Sequence, residues 1–187
     1  SGTAGSSGTS ALGSSGTSGT AGISGTDGDH GANLDFTLVL FSFDASTSTI
    51  TRTTTAGWTN NVAYTTEGYY NGCHLRQMSV LTNYAIFGGI NNPTDLSTQT
   101  ITTQDYTWYF QSNAKLAIWE SGTTVTADAG SYNADTVVEI VYDGVDVKYY
   151  IDGSLYRTVV ANANLTFHFK SISYHVGSGI KDISFMP

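Results

Sequence analysis

The stretch that most constrains the fold is the segment Val137–Val160, VVEIVYDGVDVKYYIDGSLYRTVV. Two Asp-Gly pairs, Asp143-Gly144 and Asp152-Gly153, separate three apolar runs within it. Asp-Gly between such runs supplies the two positive-φ positions of a type I′ turn, whose twist matches that of the strands on either side. The segment therefore predicts three adjacent antiparallel strands joined by two tight hairpins.

Side chains in the first two of these strands alternate as a sheet with one dry face requires. No stretch of the chain has the apolar stripe of a covering helix, so the dry face is expected to pack on a second sheet. The chain is thus predicted to be all-β, folded as an antiparallel β-sandwich. The inward side chains are expected to be those of Val138, Ile140, Tyr142, Val145, Val147, Tyr149 and Ile151.

Apolar side chains occupy both faces of the first strand predicted after the N-terminal segment, Leu34–Phe43. Such a strand is expected in the centre of a sheet or at a subunit contact. The polar run Asp44–Thr55 that follows is expected to form an exposed strand or an edge hairpin.

The meander also resembles known proteins. The order of an apolar strand, YDG, V-x-V-x-Y-Y-x-DG and L-x-R-T-V resembles the hairpins of the concanavalin A-like (laminin-G-like) jelly-roll superfamily, and Ile180–Phe185 is similar to its closing strand. The resemblance covers Leu34–Pro187. It implies a jelly-roll sandwich of the kind often appended to viral fibres and extracellular adhesins.

The N-terminal segment has a different pattern. Glycine falls at positions 2, 5 and 8 and then at every third position from 13 to 31, with one break at Ala11-Leu12. This Gly-X-Y period favours a collagen-like triple helix over a flexible Gly/Ser/Thr linker, because only glycine fits at the crowded axis. We therefore expect a stalk over residues 1–31 and a head over residues 32–187. The stalk lacks proline, so it is expected to be marginal alone.

Charge and hydropathy exclude several classes of partner. The chain carries 7 Lys and Arg against 15 Asp and Glu, a formal charge of −8, and its basic residues are scattered singly. This argues against nucleic acid or anionic lipid as a partner. No apolar run approaches the roughly 20 residues that cross a bilayer, so no membrane insertion is expected. A surface rich in hydroxyls and amides is typical of virion or extracellular proteins.

Residues that would carry catalysis are sparse. A glycoside hydrolase needs two carboxylates flanking the sugar, and the nearest match is Glu139 with Asp143, but Asp143 is already the expected turn residue. The other acidic residues, including Asp95 and Asp105, are isolated from each other in the sequence. The single cysteine, Cys73, is expected to be a buried thiol. We therefore expect no enzyme activity and no cofactor.

No metal site is indicated either. The histidines lack zinc-site spacing. Calcium held by loop oxygens is what the laminin-G-like resemblance would allow, but no clustered carboxylates mark such a site.

The remaining positive signal is aromatic. Aromatic faces stack on the apolar faces of sugars while amides and carboxylates take the hydroxyls, and the resemblance implies a site on the concave face or at the loop tips. The tryptophans Trp58, Trp108 and Trp119 are expected in the sandwich core. The candidate ligand-binding residues, chosen for their loop-like setting, are Tyr69, Tyr70, Asn71, Asn91, Asn92 and Asp95.

A collagen-like stalk before a jelly-roll head resembles viral receptor-binding fibres, especially bacteriophage tail or head fibres, which are usually trimers. The sequence thus predicts a trimeric attachment protein of a virion or extracellular surface, whose head binds a host-surface glycan. A structural fibre or surface-decoration protein, whose head drives trimerisation without a ligand, is the alternative. A cell-surface glycoside hydrolase is the third.

Overall fold

Regular structure in the described part of the chain is almost entirely β. The computed structural model describes residues 34–161 and 164–187, so the predicted stalk, residues 1–31, lies outside the described residues. In chain order the strands are β1 (Phe36–Val39), β2 (Phe41–Asp44), β3 (Thr49–Arg52), β4 (Val62–Thr65), β5 (Tyr69–Tyr70), β6 (Cys73–Ser79), β7 (Ile86–Asn91), β8 (Tyr106–Phe110), β9 (Lys115–Glu120), β10 (Thr123–Ser131), β11 (Val138–Tyr142), β12 (Asp146–Ile151), β13 (Ser154–Val160), β14 (Thr166–Ser173) and β15 (Gly179–Met186).

These strands form two antiparallel sheets. The eight-stranded sheet has the order β1-β4-β14-β7-β8-β9-β10, with β5 paired to β14, and the seven-stranded sheet has the order β13-β12-β11-β6-β15-β3-β2. The helical elements of the described residues are two three-residue 3-10 turns, Pro93–Asp95 and Ile101–Thr103. The predicted antiparallel β-sandwich is confirmed.

The predicted meander is also confirmed, with one turn corrected. Strands β11, β12 and β13 are neighbours, and Asp152 and Gly153 have φ of +47° and +74°, as a type I′ turn requires. At the other hairpin only Gly144 has positive φ, and the two-residue loop is Gly144-Val145. Asp143 precedes the loop and caps it instead, because its Oδ1 accepts hydrogen bonds from the backbone N–H of Val145 and Asp146.

The predicted strand Leu34–Phe43 is wrong. Leu40 adopts φ +61°, which turns the chain over and splits the run into β1 and β2, each at the edge of a different sheet. Phe36 and Phe43 therefore both point between the sheets, with ring centroids 4.6 Å apart. The alternation of apolar residues on both faces of the predicted strand has another cause. The chain reverses at Leu40, so residues before and after it point into the same core from different sheets. The following β2–β3 hairpin lies at a sheet edge, as expected.

The core fills the space between the two sheets. Trp108 is fully buried there, and its indole N–H donates to the backbone oxygen of Glu139 across the sandwich at 3.0 Å. Trp58 and Trp119 were expected in the same core but are only half-buried outside it. Cys73 is buried as predicted, and burial raises the pKa of its thiol to about 12.

Candidate functional site

A cavity of about 320 Å³ opens at one end of the sandwich, where β7 and β9 end and β8 and β14 begin. We call it the polar pocket. Its lining combines acidic, amide and hydroxyl groups with apolar side chains, and the residues are Asn92, Thr94, Asp95, Asp105, Tyr106, Ser121, Leu165 and Phe167.

One wall of the polar pocket is set by the sequence Asn92-Pro93. A residue before proline favours extended backbone, and Asn92 has φ −64° and ψ 145°. Its side-chain oxygen caps the 3-10 turn by accepting from the N–H of Thr94 at 3.1 Å and from the Thr94 hydroxyl at 3.0 Å. The cap holds the Asn92 amide and the Asp95 backbone in fixed positions at the pocket.

Asp105 joins this wall to the neighbouring strands. Its Oδ2 accepts the backbone N–H of Asn92 at 2.7 Å, and its backbone oxygen accepts the N–H of Ser121 at 2.8 Å. Burial raises the pKa of the Asp105 carboxyl, and the nearby carboxylate of Asp95 raises it further, while the Asn92 N–H and the charge of Lys170 oppose both. The pocket therefore holds two carboxyl groups whose charges interact.

Lys170 lies fully buried behind the pocket wall. Its Nζ donates to the backbone oxygen of Asp95 at 2.6 Å and to the hydroxyl of Thr103 at 3.1 Å, so it ties together both 3-10 turns. Burial lowers the pKa of Lys170 to about 8, although the carboxylates of Asp95 and Asp105 favour its charged form. Because its ammonium group donates to these protein oxygens, Lys170 is committed to structural contacts behind the pocket wall.

The opposite wall is apolar. Phe167 is buried and packs edge-on against Tyr106, with ring centroids 5.6 Å apart and an interplanar angle of 81°. Leu165 continues this surface toward the solvent. A ligand in the polar pocket would meet hydrogen-bond acceptors on one side and ring or aliphatic carbon on the other.

The structure brings some of the predicted site residues together. Asn92 and Asp95 line the polar pocket, whereas Asn91 is fully buried and donates its amide N–H to the backbone oxygen of Thr103 at 2.6 Å. Asn91 thus has a structural role.

Tyr69, Tyr70 and Asn71 lie next to the pocket, at the start of β14. Tyr70 is 62% exposed, and its hydroxyl donates to Oδ1 of Asn164 at 3.2 Å. The N–H of Asn71 donates to the backbone oxygen of Leu165, a pocket residue, at 3.1 Å. The backbone of Tyr69 pairs with that of Phe167. The two groups of predicted residues therefore meet at one end of the sandwich.

Sequence reasoning missed Asp105, Tyr106 and Ser121. Asp95 and Asp105 were treated as isolated acidic residues, yet both line the polar pocket. The first 3-10 turn ends at Asp95, and the second lies between Asp95 and Asp105. The chain folds back over this stretch, so that the Asp105 carboxyl reaches the backbone N–H of Asn92. The run of polar residues offered no periodicity that would have shown this approach.

The carboxylate pair considered for glycoside hydrolysis has other partners. Oε2 of Glu139 lies 2.6 Å from Nε2 of His74. Oδ2 of Asp143 accepts from Nζ of Lys148 at 2.6 Å, and this hydrogen bond is the main cause that lowers the pKa of Asp143 to about 2. Within residues 34–161 and 164–187, no group of three or more His, Cys, Asp and Glu side chains could hold a metal ion.

Comparisons with known proteins give the fold. No family model and no curated protein matches the sequence. Among solved structures the chain is similar to alginate lyase AlgAT5 from Polysaccharide Lyase family 7, with a TM-score of 0.55 and 11% identity over 82% of this chain and 94% of that one. It is similar to the carbohydrate-binding module CBM66 from Bacillus subtilis, with a TM-score of 0.54 and 9% identity over 83% and 98% of the two chains.

The SPRY domain of human HERC1 is also similar, with a TM-score of 0.56 and 14% identity over 81% of this chain and 98% of that chain. At such low identity these likenesses show the fold alone, a jelly-roll-like antiparallel sandwich.

In the described part of the chain, no helix has the length and apolar character needed to span a membrane.

Proposed function

We propose that residues 32–187 are the glycan-binding, non-enzymatic head of a trimeric attachment protein. The observation that carries this proposal is the polar pocket, in which the carboxyl groups of Asp95 and Asp105 face the apolar surface of Leu165 and Phe167. A sugar ring presents the same two chemistries, with hydroxyl groups around its edge and C–H groups on its faces. The similarity to a carbohydrate-binding module supports the same proposal.

The size and charge of the polar pocket limit which glycans can bind there. The volume of about 320 Å³ lies at the lower end of the range for small-ligand pockets, so the pocket suits one or two sugar units. Two carboxyl groups line it, and the ammonium of Lys170 is already bonded to Asp95 and Thr103. An uncharged glycan fits this environment better than one bearing carboxylate or sulfate groups, which the acidic wall would repel.

A glycan array and a host-cell binding assay test the proposal with the full chain. Asp105→Asn removes a charge with little change of shape, and Tyr70→Ala removes an exposed ring beside the pocket. We expect each to weaken binding about tenfold or more, without a comparable fall in melting temperature. Thr158→Ala, an exposed change on β13, is the matched control and should bind as the wild type does.

Salt dependence separates neutral from charged receptors. Binding of an uncharged glycan releases few counterions, so affinity is expected to change little between low and moderate salt. A steep loss of binding with salt would indicate a charged receptor. No binding to any glycan or host cell would instead favour a structural fibre, whose head serves assembly.

The assembly and location are part of the same proposal. The Gly-X-Y period over residues 1–31 supports a trimer, and a glycan-binding head on such a stalk suits a virion fibre, most simply of a bacteriophage, or another extracellular surface. Mass photometry of the chain with and without residues 1–31 is expected to give trimers in both cases, because a proline-free stalk adds little stability. Monomers in both cases would contradict the trimer.

A further inference from the structure

A second depression lies on the outer face of the eight-stranded sheet, the face that points away from the other sheet. Its volume is about 150 Å³, and it shares no lining residue with the polar pocket. We call it the aromatic groove. Its lining residues, which carry no formal charge, are Tyr109, Gln111, Ala117, Trp119, Thr124 and Ala127.

The floor of the aromatic groove follows from the pairing of β8 with β9. Tyr109 lies opposite Ala117, and Thr107 lies opposite Trp119, on the same sheet face. Ala117 lies beside both of these aromatic residues on the sheet face and lines the groove with only a methyl group. A methyl group at this position therefore creates space that a larger residue would fill.

The rings of Tyr109 and Trp119 belong to a connected aromatic cluster. Tyr109 stacks on Phe87 with ring centroids 4.2 Å apart and an interplanar angle of 5°. Trp119 stands edge-on to both rings, at 5.1 Å from Phe87 and 6.1 Å from Tyr109. Trp58 packs on Phe87 and Tyr109, with ring centroids 5.4 Å and 6.1 Å apart. Packing on several neighbours fixes the rings in position before any ligand arrives.

The loop that carries Trp58 is itself held in place. Arg52 is almost fully buried and donates to the backbone oxygens of Thr54 at 3.0 Å and Gly57 at 2.6 Å. It also donates to the backbone oxygen of Ser173 on β14. The cluster beneath the groove is thus supported from the loop side by a buried guanidinium group.

The side wall of the aromatic groove comes from β10. Its register against β9 shifts twice, between Thr124 and Thr126 and between Thr126 and Gly130. Such bulges bend a strand locally. The side-chain amide of Gln111 donates from Nε2 to the backbone oxygen of Ala127 at 2.8 Å. This hydrogen bond joins the turn between β8 and β9 to the wall formed by β10.

We propose that the aromatic groove is a second carbohydrate subsite, which binds the face of an uncharged pyranose ring. This inference rests on the proposed glycan-binding function and adds a site of different chemistry. The polar pocket offers acceptors to sugar hydroxyls, whereas the groove offers two half-buried aromatic side chains and a threonine hydroxyl. A fixed, charge-free aromatic surface suits the C–H face of a neutral sugar.

The test is calorimetric titration of the full chain with neutral hexasaccharides of β-1,4-linked glucose, mannose and N-acetylglucosamine, and with the tightest ligand of the glycan array. Trp119→Ala is expected to weaken binding at least tenfold, and Trp119→Phe, which keeps a ring, to weaken it less. Tyr156→Ala removes a part-exposed ring on the other sheet and is the matched control. Addition of the bound glycan should also shift wild-type tryptophan emission, and this shift should shrink in Trp119→Phe.

The outcomes separate the two proposals. If Trp119→Ala and Trp119→Phe bind like the wild type while Asp105→Asn binds weakly, the groove is not a subsite and the polar pocket stands alone. If Trp119→Ala weakens binding while Asp105→Asn does not, the groove carries recognition and the polar pocket does not. If the wild type binds no glycan of the array or the hexasaccharide set, the proposed function and the subsite are both wrong.

Discussion

Lys170 gives the most quantitative prediction. Burial lowers its pKa in the folded protein from the ordinary 10.5 to about 8, so the unfolded chain binds more protons between these two pH values. Stability contributed by this residue must therefore rise as pH increases from about 8 to about 10.5. One pKa unit corresponds to about 1.4 kcal/mol, so the full gain in unfolding free energy is at most about 3.5 kcal/mol.

The measurement is urea unfolding of the wild type and of Lys170→Met at several pH values from 7 to 10.5. Methionine has a similar length but no charge, so the difference in unfolding free energy isolates the lysine. The variant also leaves two acceptors, the oxygens of Asp95 and Thr103, without their donor, but that cost does not change with pH. Tyrosines titrate alike in both proteins. Parallel curves for the two proteins would refute the assignment of Lys170 as a buried, destabilised ammonium.

Further predictions concern the core and the hairpins. Trp108→Ala should lower the unfolding free energy in urea by about 3–5 kcal/mol, because the ring is fully buried; a loss below 1 kcal/mol would contradict this. Gly153→Val should cost about 1–3 kcal/mol through positive φ alone, and Gly144→Val more, since its Cβ would also lie 3.0 Å from the backbone oxygen of Asn71. Wild-type melting temperatures in both glycine variants would disprove the turns. Asp143→Asn should be mild near neutral pH, and its difference from the wild type in acid unfolding should vanish as pH falls from about 4 to 2, because the folded-state pKa is lowered to about 2.

Local chemistry made the meander predictable. Asp152-Gly153 fixes its hairpin through backbone preferences that depend on two residues, so sequence alone suffices there. In the hairpin between β11 and β12, the loop lies one residue later than predicted, at Gly144-Val145. An aspartate can cap a turn as well as occupy one, and here the Asp143 side chain caps it. The corner at Leu40 was missed for a different reason. Leucine rarely adopts positive φ, so residue preference gave no sign of a chain reversal at Leu40, whose φ is +61°.

The candidate site was only half predictable. Asn92 and Asp95 stood out because Asn-Asn-Pro-Thr-Asp is a recognisable turn sequence. Asp105 could not be linked to them, since its approach depends on the path of the nine residues between Asp95 and Asp105 and on the buried Lys170 behind the pocket wall. The aromatic groove was hidden for a related reason. A tryptophan in a strand of mostly apolar residues is expected in the core. Whether Trp119 faces the core or the outer side of its sheet depends on the pairing and twist of the strands, which the sequence does not give.

The corner at Leu40 also determines how the head carries mechanical tension. A pull on residue 34 acts first on β1, which is bonded to β4 in the eight-stranded sheet. Beyond Leu40 the same chain continues as β2, which is bonded to β3 in the seven-stranded sheet. Force entering from the N-terminal side therefore meets one ladder in each layer of the sandwich, one after the other, and detaching residues 34–44 requires both ladders of hydrogen bonds to break.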